Sequence, residues 1–87
     1  MRQTDLQVFL ANIGRKLAIR RHQLALKQAN ITNATNISGR ILSQIENGRY
    51  ASLNIKTLLK LCDYLEINFN ELWGGRYKRL VVNNNFP

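Results

Sequence analysis

From Leu6 to Leu24 the apolar residues recur at spacings of three, four and seven: Leu6, Phe9, Leu10, Ile13, Leu17 and Leu24. This is the signature of one helical face, and Thr4 with Gln7 three residues later forms a capping-box pattern in front of it. A first helix is therefore expected over about residues 5–24. Residues 27–34 form a weaker helix. Ile31 and Ala34 can face a core there, but Asn30, Thr32 and Asn33 have poor propensity and need tertiary support. Thr35-Asn36-Ile37 reads as a tight break, since Asn tolerates a positive φ better than other residues that carry a Cβ. Ser38 then caps a third helix from Gly39 to about Asn47, with Leu42 and Ile45 inward and Gly48 as its stop.

Asn54 caps a fourth helix carrying Leu58, Leu59, Leu61, Cys62 and Leu65. Asn68 and Glu71 repeat the capping-box logic for a short fifth helix holding Phe69, Leu72 and Trp73, which Gly74-Gly75 ends. Residues 76–82 become β-favouring toward Leu80-Val81-Val82, and a polar Asn-rich tail closes the chain. The expected fold is all-α, with five helices, and a short C-terminal β-strand is a candidate dimer contact. At 87 residues there is room for one small core and no second domain.

The single cysteine, Cys62, excludes an intramolecular disulfide and a multi-cysteine zinc knuckle. Packing alone must hold the chain, which suits a reducing cytosol rather than secretion. No apolar run approaches the roughly 18 residues that span a bilayer, and the first residues are neither a signal nor a transit peptide. A soluble, cytoplasmic protein with no membrane partner is expected. Cys62 reads as core packing, His22 as a solvated helix residue without metal-ligand partners, and Phe69 with Trp73 as core rather than a stacking platform. No phosphate loop, carboxylate pair or nucleophile–base set is visible, so neither an enzyme nor a cofactor is expected.

Charge supplies the positive clue. Thirteen Lys and Arg against five Asp and Glu give a formal charge of +8. No acid lies between Asp5 and Glu46, whereas Arg15, Lys16, Arg20, Arg21, Lys27 and Arg40 do. Solubility would be served by mixed signs, so a one-signed half points to an anion-facing surface and a polyanionic partner. A helix opening at Gln28, a three-residue turn at 35–37 and a helix opening Ser38-Gly39-Arg40 together satisfy helix-turn-helix geometry. The second helix can then enter the major groove of duplex DNA, its first residues reaching base edges.

Several stretches carry a family resemblance: Ile13-Gly14-Arg15-Lys16-Leu17 through Arg21, Gln28, Ile31, Leu58 to Leu65, Ile67 and Glu71-Leu72. Its most specific part is the run Ser38-Gly39-Arg40-Ile41-Leu42-Ser43-Gln44-Ile45-Glu46-Asn47-Gly48-Arg49. On these residues the chain resembles the Cro and lambda-repressor-like helix-turn-helix family, of the xenobiotic-response-element type, over about residues 13–73. The resemblance implies base-reading positions at Gly39, Arg40 and Gln44. It implies phosphate contacts at Gln28, Ser38, Ser43, Asn47 and Arg49, and a structural ion pair between Arg21 and Glu46. Lys27, Thr32 and Asn36 stand where the family usually has Thr, Ala and Gly, and the loop before the fourth helix is longer and lacks its usual Pro.

The resemblance further implies a sequence-specific regulator of transcription. A dimeric repressor or autoregulator reading a pseudo-palindromic operator is expected, built from a domain at residues 1–75 and a dimerisation or partner-binding tail at 76–87. A homodimer follows because one module covers about half a site. Another reading is an antitoxin that neutralises a toxin protein and represses its own operon, which a co-purifying second chain would reveal. A restriction-modification controller is a third, marked by an adjacent methyltransferase gene. A structured-RNA binder fits the charge but not the motif.

Overall fold

The computed structural model describes residues 3–49 and 54–72, and all regular structure within them is helical. α1 spans Gln3–Gln23, α2 Gln28–Thr35, α3 Gly39–Glu46, α4 Ile55–Leu65 and α5 Phe69–Leu72. Trp73, the Gly74-Gly75 stop and the expected strand at residues 80–82 lie outside the described residues.

At 21 residues, α1 is about 31 Å long. Asp5 in its first turn and Arg20, Arg21 and His22 in its last oppose the helix dipole. Thr4, expected as the cap, is already helical because α1 begins at Gln3. Leu10, Ile13 and Leu17 are buried, but Leu6 and Leu24 on the same stripe remain 39% and 36% exposed. The stripe outruns the core beneath it. The end of α3 meets α1 at Ala11, whose Cα would lie 2.7 Å from a Cβ placed on Gly48, so Leu6 projects beyond that junction.

Three helices end alike. After α1, Leu26 N–H donates to Arg21 O at 3.0 Å and Ala25 N–H to His22 O at 3.0 Å. After α3, Arg49 N–H reaches Gln44 O at 2.8 Å and Gly48 N–H reaches Ile45 O at 3.0 Å; after α4, Ile67 N–H reaches Cys62 O at 2.9 Å and Glu66 N–H reaches Asp63 O at 3.3 Å. These are Schellman ends, which satisfy otherwise orphaned carbonyls around one left-handed residue. That residue is Ala25 (φ 56°), Gly48 (φ 70°) or Glu66 (φ 56°). Only at Gly48 is it the residue with no Cβ penalty.

α2 stops at Asn36, left-handed at φ 62° and ψ 18°, as its tolerance of that region led one to expect. The helix nevertheless runs through Thr35, so the turn comprises residues 36–38 rather than 35–37. Thr35 is held because its hydroxyl donates to Ile31 O at 2.7 Å and accepts from Ile37 N–H at 3.3 Å. Thr32 likewise donates to Ala29 O at 3.1 Å, so the Thr and Asn content of α2 does not prevent a regular helix. Within the turn Ile37 is buried and anchors the two helices to the same core.

Ser38 Oγ caps α3 by accepting from Ile41 N–H at 3.1 Å, and Asn54 Oδ1 caps α4 by accepting from Lys56 N–H at 2.7 Å. Asn68 Oδ1 accepts from Asn70 N–H at 2.9 Å, a one-sided cap in place of the expected reciprocal box with Glu71. The core joins Ile13 and Leu17 of α1, Ile31 of α2, Ile37, Leu42 and Ile45 of α3, Leu58, Leu61, Cys62 and Leu65 of α4, and Leu72 of α5. Burial of each large aliphatic side chain contributes about 1.5–3 kcal/mol. Leu59 is the exception to the expected α4 face. It is 49% exposed, because on the helical wheel it falls outside the arc shared by Leu58, Leu61, Cys62 and Leu65, about 160° from Leu61, and follows Ile55 outward.

α1 lies against α3 backbone to backbone. A Cβ at Gly14 would collide with Ile45 O and come within 2.8 Å of Glu46 O, so this crossing requires glycine. Basic side chains fasten the other contacts. Lys16 Nζ donates to Glu71 O at 3.0 Å and Leu72 O at 3.4 Å, and Arg20 Nε donates to Leu65 O at 2.9 Å. Both place a cation on the carbonyl end of a helix, where the dipole is negative.

Candidate nucleic-acid interface

The helix-turn-helix is held from behind by a polar cluster. Arg21 reaches Glu46 with both arms, Nε to Oε2 at 2.8 Å and Nη2 to Oε1 at 3.0 Å, while Nη1 donates to Leu26 O at 3.0 Å. The two side chains are only 12% and 7% exposed. The hydrogen bond to Glu46 raises the Arg21 guanidinium above its ordinary pKa. Burial opposes that shift, and the carboxylate charge reinforces it. Gln28 completes the cluster, its Nε2 donating to Glu46 Oε1 at 2.9 Å. The Glu46 carboxylate thus ties α1 and α2 to α3, and Arg21 adds the α1–α2 connection through Leu26 O.

The family resemblance implies a phosphate contact at Gln28. The structure turns its side chain inward, half-buried, with one amide N–H committed to Glu46. An outward contact is left to the second amide N–H and to the main chain, because Gln28 and Ala29 open α2 without a side-chain acceptor on the cap residue Lys27. Asn30 Oδ1 instead accepts from Lys27 N–H at 2.8 Å.

On α3 the two faces are chemically distinct. Ile41, Leu42, Ile45 and Glu46 turn toward the protein, whereas Arg40, Ser43, Gln44 and Asn47 share the opposite side, Arg40 being three, four and seven residues from the others. Ser38, Gly39 and Arg40 are all exposed at the start of the helix. Arg40 makes no hydrogen bond or ion pair among the described residues, and Ser38 Oγ, which accepts the capping bond, still has its hydroxyl proton to give. Gln44 is half-buried with its amide unengaged among the described residues. Asn47 spends its amide on its own helix, donating to Ser43 O at 2.8 Å and lying 3.5 Å from Ser43 Oγ. Arg49 is exposed just beyond.

The outward side of α3 is thus presented after a left-handed turn and backed by a largely buried Arg–Glu pair, the geometry of a helix-turn-helix. Residues 10–74 match the Cro/C1-type helix-turn-helix DNA-binding domain. The chain belongs to that family. It is accordingly a DNA-binding transcription regulator with a small five-helix domain. No curated protein and no solved structure matches it.

Membership in the Cro/C1-type family redraws the charge map. Of the cations in the acid-free stretch, Lys16, Arg20 and Arg21 are bonded inside the protein. Those left exposed are Arg15, Lys27 and Arg40, joined by Arg49, Lys56 and Lys60 among the other described residues. Lys27 is unusual among them in its place as the cap residue at the start of a helix. A lysine at an N-cap supplies no acceptor and places positive charge at the positive end of α2, which the fold alone does not favour. Among the described residues no cluster of His, Cys, Asp and Glu could hold a metal, and no helix is long and apolar enough to cross a membrane.

Proposed function

We propose that this chain is a dimeric repressor, acting on its own or a neighbouring promoter, that inserts α3 into the major groove of a pseudo-palindromic operator. The observation that carries the proposal is the outward side of α3, where Arg40, without a partner among the described residues, lies beside Gly39 and one turn before Gln44. Arg40 would take the two acceptors of a guanine with its guanidinium fork, a contact worth about 1–3 kcal/mol of discrimination, and Gln44 would read an adjacent base. Ser38, Ser43, Asn47 and Arg49, the main chain and free amide N–H of Gln28, and Lys27 would hold phosphates on either side. Asn47 would have to give up its bond to Ser43 O to do so.

The domain occupies residues 1–75, and residues 76–87 serve as the pairing segment, with Leu80-Val81-Val82 as a strand shared between two copies. Two recognition helices then lie about 34 Å apart, one turn of the duplex. Bound at a promoter, such a dimer excludes polymerase. The protein is a binder rather than a catalyst.

The test begins with the duplex that the wild-type chain selects from a random-sequence library. Arg40→Ala should lose the preference for that duplex over a scrambled one, while the salt-dependent binding common to both persists. Equal loss on the two duplexes would reduce Arg40 to a phosphate contact, and a wild-type chain indifferent to every duplex at low salt would end the proposal. Sedimentation with and without residues 76–87 tests the dimer, and an unchanged dimer after truncation refutes the shared strand.

A further inference from the structure

Three glycines lie in the described helices and turns, and the fold requires two of them. Gly14 has Ile45 O and Glu46 O against the place a side chain would fill, and Gly48 has a left-handed φ of 70° with Ala11 Cα 2.7 Å from its would-be Cβ. Gly39 has neither reason. A Cβ there would meet nothing within 4 Å, and the residue lies in ordinary helical conformation at the first position of α3. Glycine in a helix carries more backbone entropy into the unfolded state than alanine does, so at a site with room and a compatible φ it weakens the fold. Among the described residues nothing offers a compensation for it.

The position supplies one. Gly39 stands between Ser38, which caps the helix, and Arg40, a cation without a partner among the described residues, and all three are exposed at the start of α3. We infer that Gly39 is kept without a side chain because the bound duplex itself fills that space, a base edge of the major groove lying against the Gly39 backbone. Resting on the reading given under Proposed function, this makes Gly39 a specificity determinant by what it leaves out. Its bare backbone lets α3 sit deep enough for Arg40 to reach its base, and a Cβ would hold the helix away.

The inference has an unusual signature: one methyl group should improve the fold and impair its use. Gly39→Ala is expected to raise the melting temperature by about 2–6 °C. On the duplex selected by the wild-type chain it should lower affinity about tenfold or more, with Gly39→Val lower still. Binding to a scrambled duplex, which depends on phosphates, should stay within about twofold. Gly14→Ala is the contrast, since it should lower the melting temperature. A Gly39→Ala protein that binds the selected duplex as tightly as the wild type would overturn the inference while leaving the proposed function standing. Failure of the wild type to prefer any duplex would remove the proposed function first, so the two failures are distinguishable. A fall in melting temperature for Gly39→Ala would equally refute the inference, because it would show that the fold does need this glycine.

Discussion

Replacing Glu46 by glutamine preserves the size of the side chain and removes its charge, and the surroundings make that change expensive. Three donors converge on the carboxylate: Arg21 Nε at 2.8 Å, Arg21 Nη2 at 3.0 Å and Gln28 Nε2 at 2.9 Å. Glutamine offers one oxygen, and its NH₂ must face at least one of those donors. A hydrogen bond to a charged group contributes about 1.5–3 kcal/mol, and leaving an ion without its partner in a largely buried site adds a penalty. Arg21, 12% exposed, would be that ion. Together these give a loss of about 2–4 kcal/mol, a large share of the roughly 4–13 kcal/mol expected for a domain of this size. The melting temperature, followed by circular dichroism, should fall by at least about 10 °C. A double-mutant cycle with Arg21→Ala and Glu46→Ala should show strong coupling, because neither side chain retains its main partner after a single change. A fall of less than about 3 °C for Glu46→Gln, or additive single mutants, would refute the claim that this cluster holds the helix-turn-helix together.

Ala25 occupies the left-handed position of a Schellman end at φ 56°. Ala25→Gly should therefore stabilise the protein by about 0.5–1 kcal/mol, read as a rise in the urea midpoint at constant slope. Cys62 gives a pH dependence: burial pushes its thiol from 9.0 up to about 11. The unfolded chain releases that proton near the lower value and the folded chain near the higher, so between them the unfolded state binds fewer protons and stability falls as pH rises. The slope from this group should approach about 1.4 kcal/mol per pH unit. Urea titrations across that range should show the decline in the wild type and a shallower one in Cys62→Val.

The order and type of the helices were legible because their signals are local. Caps at Ser38, Asn54 and Asn68, a left-handed Asn36 and the spacing of Ile13, Leu17, Leu42 and Ile45 each act within a few residues. What stayed hidden depends on partners distant in sequence. Lys16 and Arg20 read as members of an anion-facing surface, yet they grip carbonyls 45–56 residues away, which no spacing rule announces. Gln28 has the composition of an outward polar residue, and only the folded position of Glu46 turns it inward. Ala25 and Glu66 as left-handed stops lacked the glycine that normally marks them. Leu59 belongs to a leucine-rich run but lies off its buried arc, which only the angular order of the residues reveals.

The division of α3 into two faces has a consequence for how such a protein can change. Leu42 and Ile45 anchor the helix, while Arg40, Ser43 and Gln44 take no part in the aliphatic interior. Vocabulary and grammar are therefore separable in this chain. Under the proposed function, substitutions at Arg40 and Gln44 would try new target sequences one letter at a time, and few of those trials would be lost to misfolding before selection could act on them.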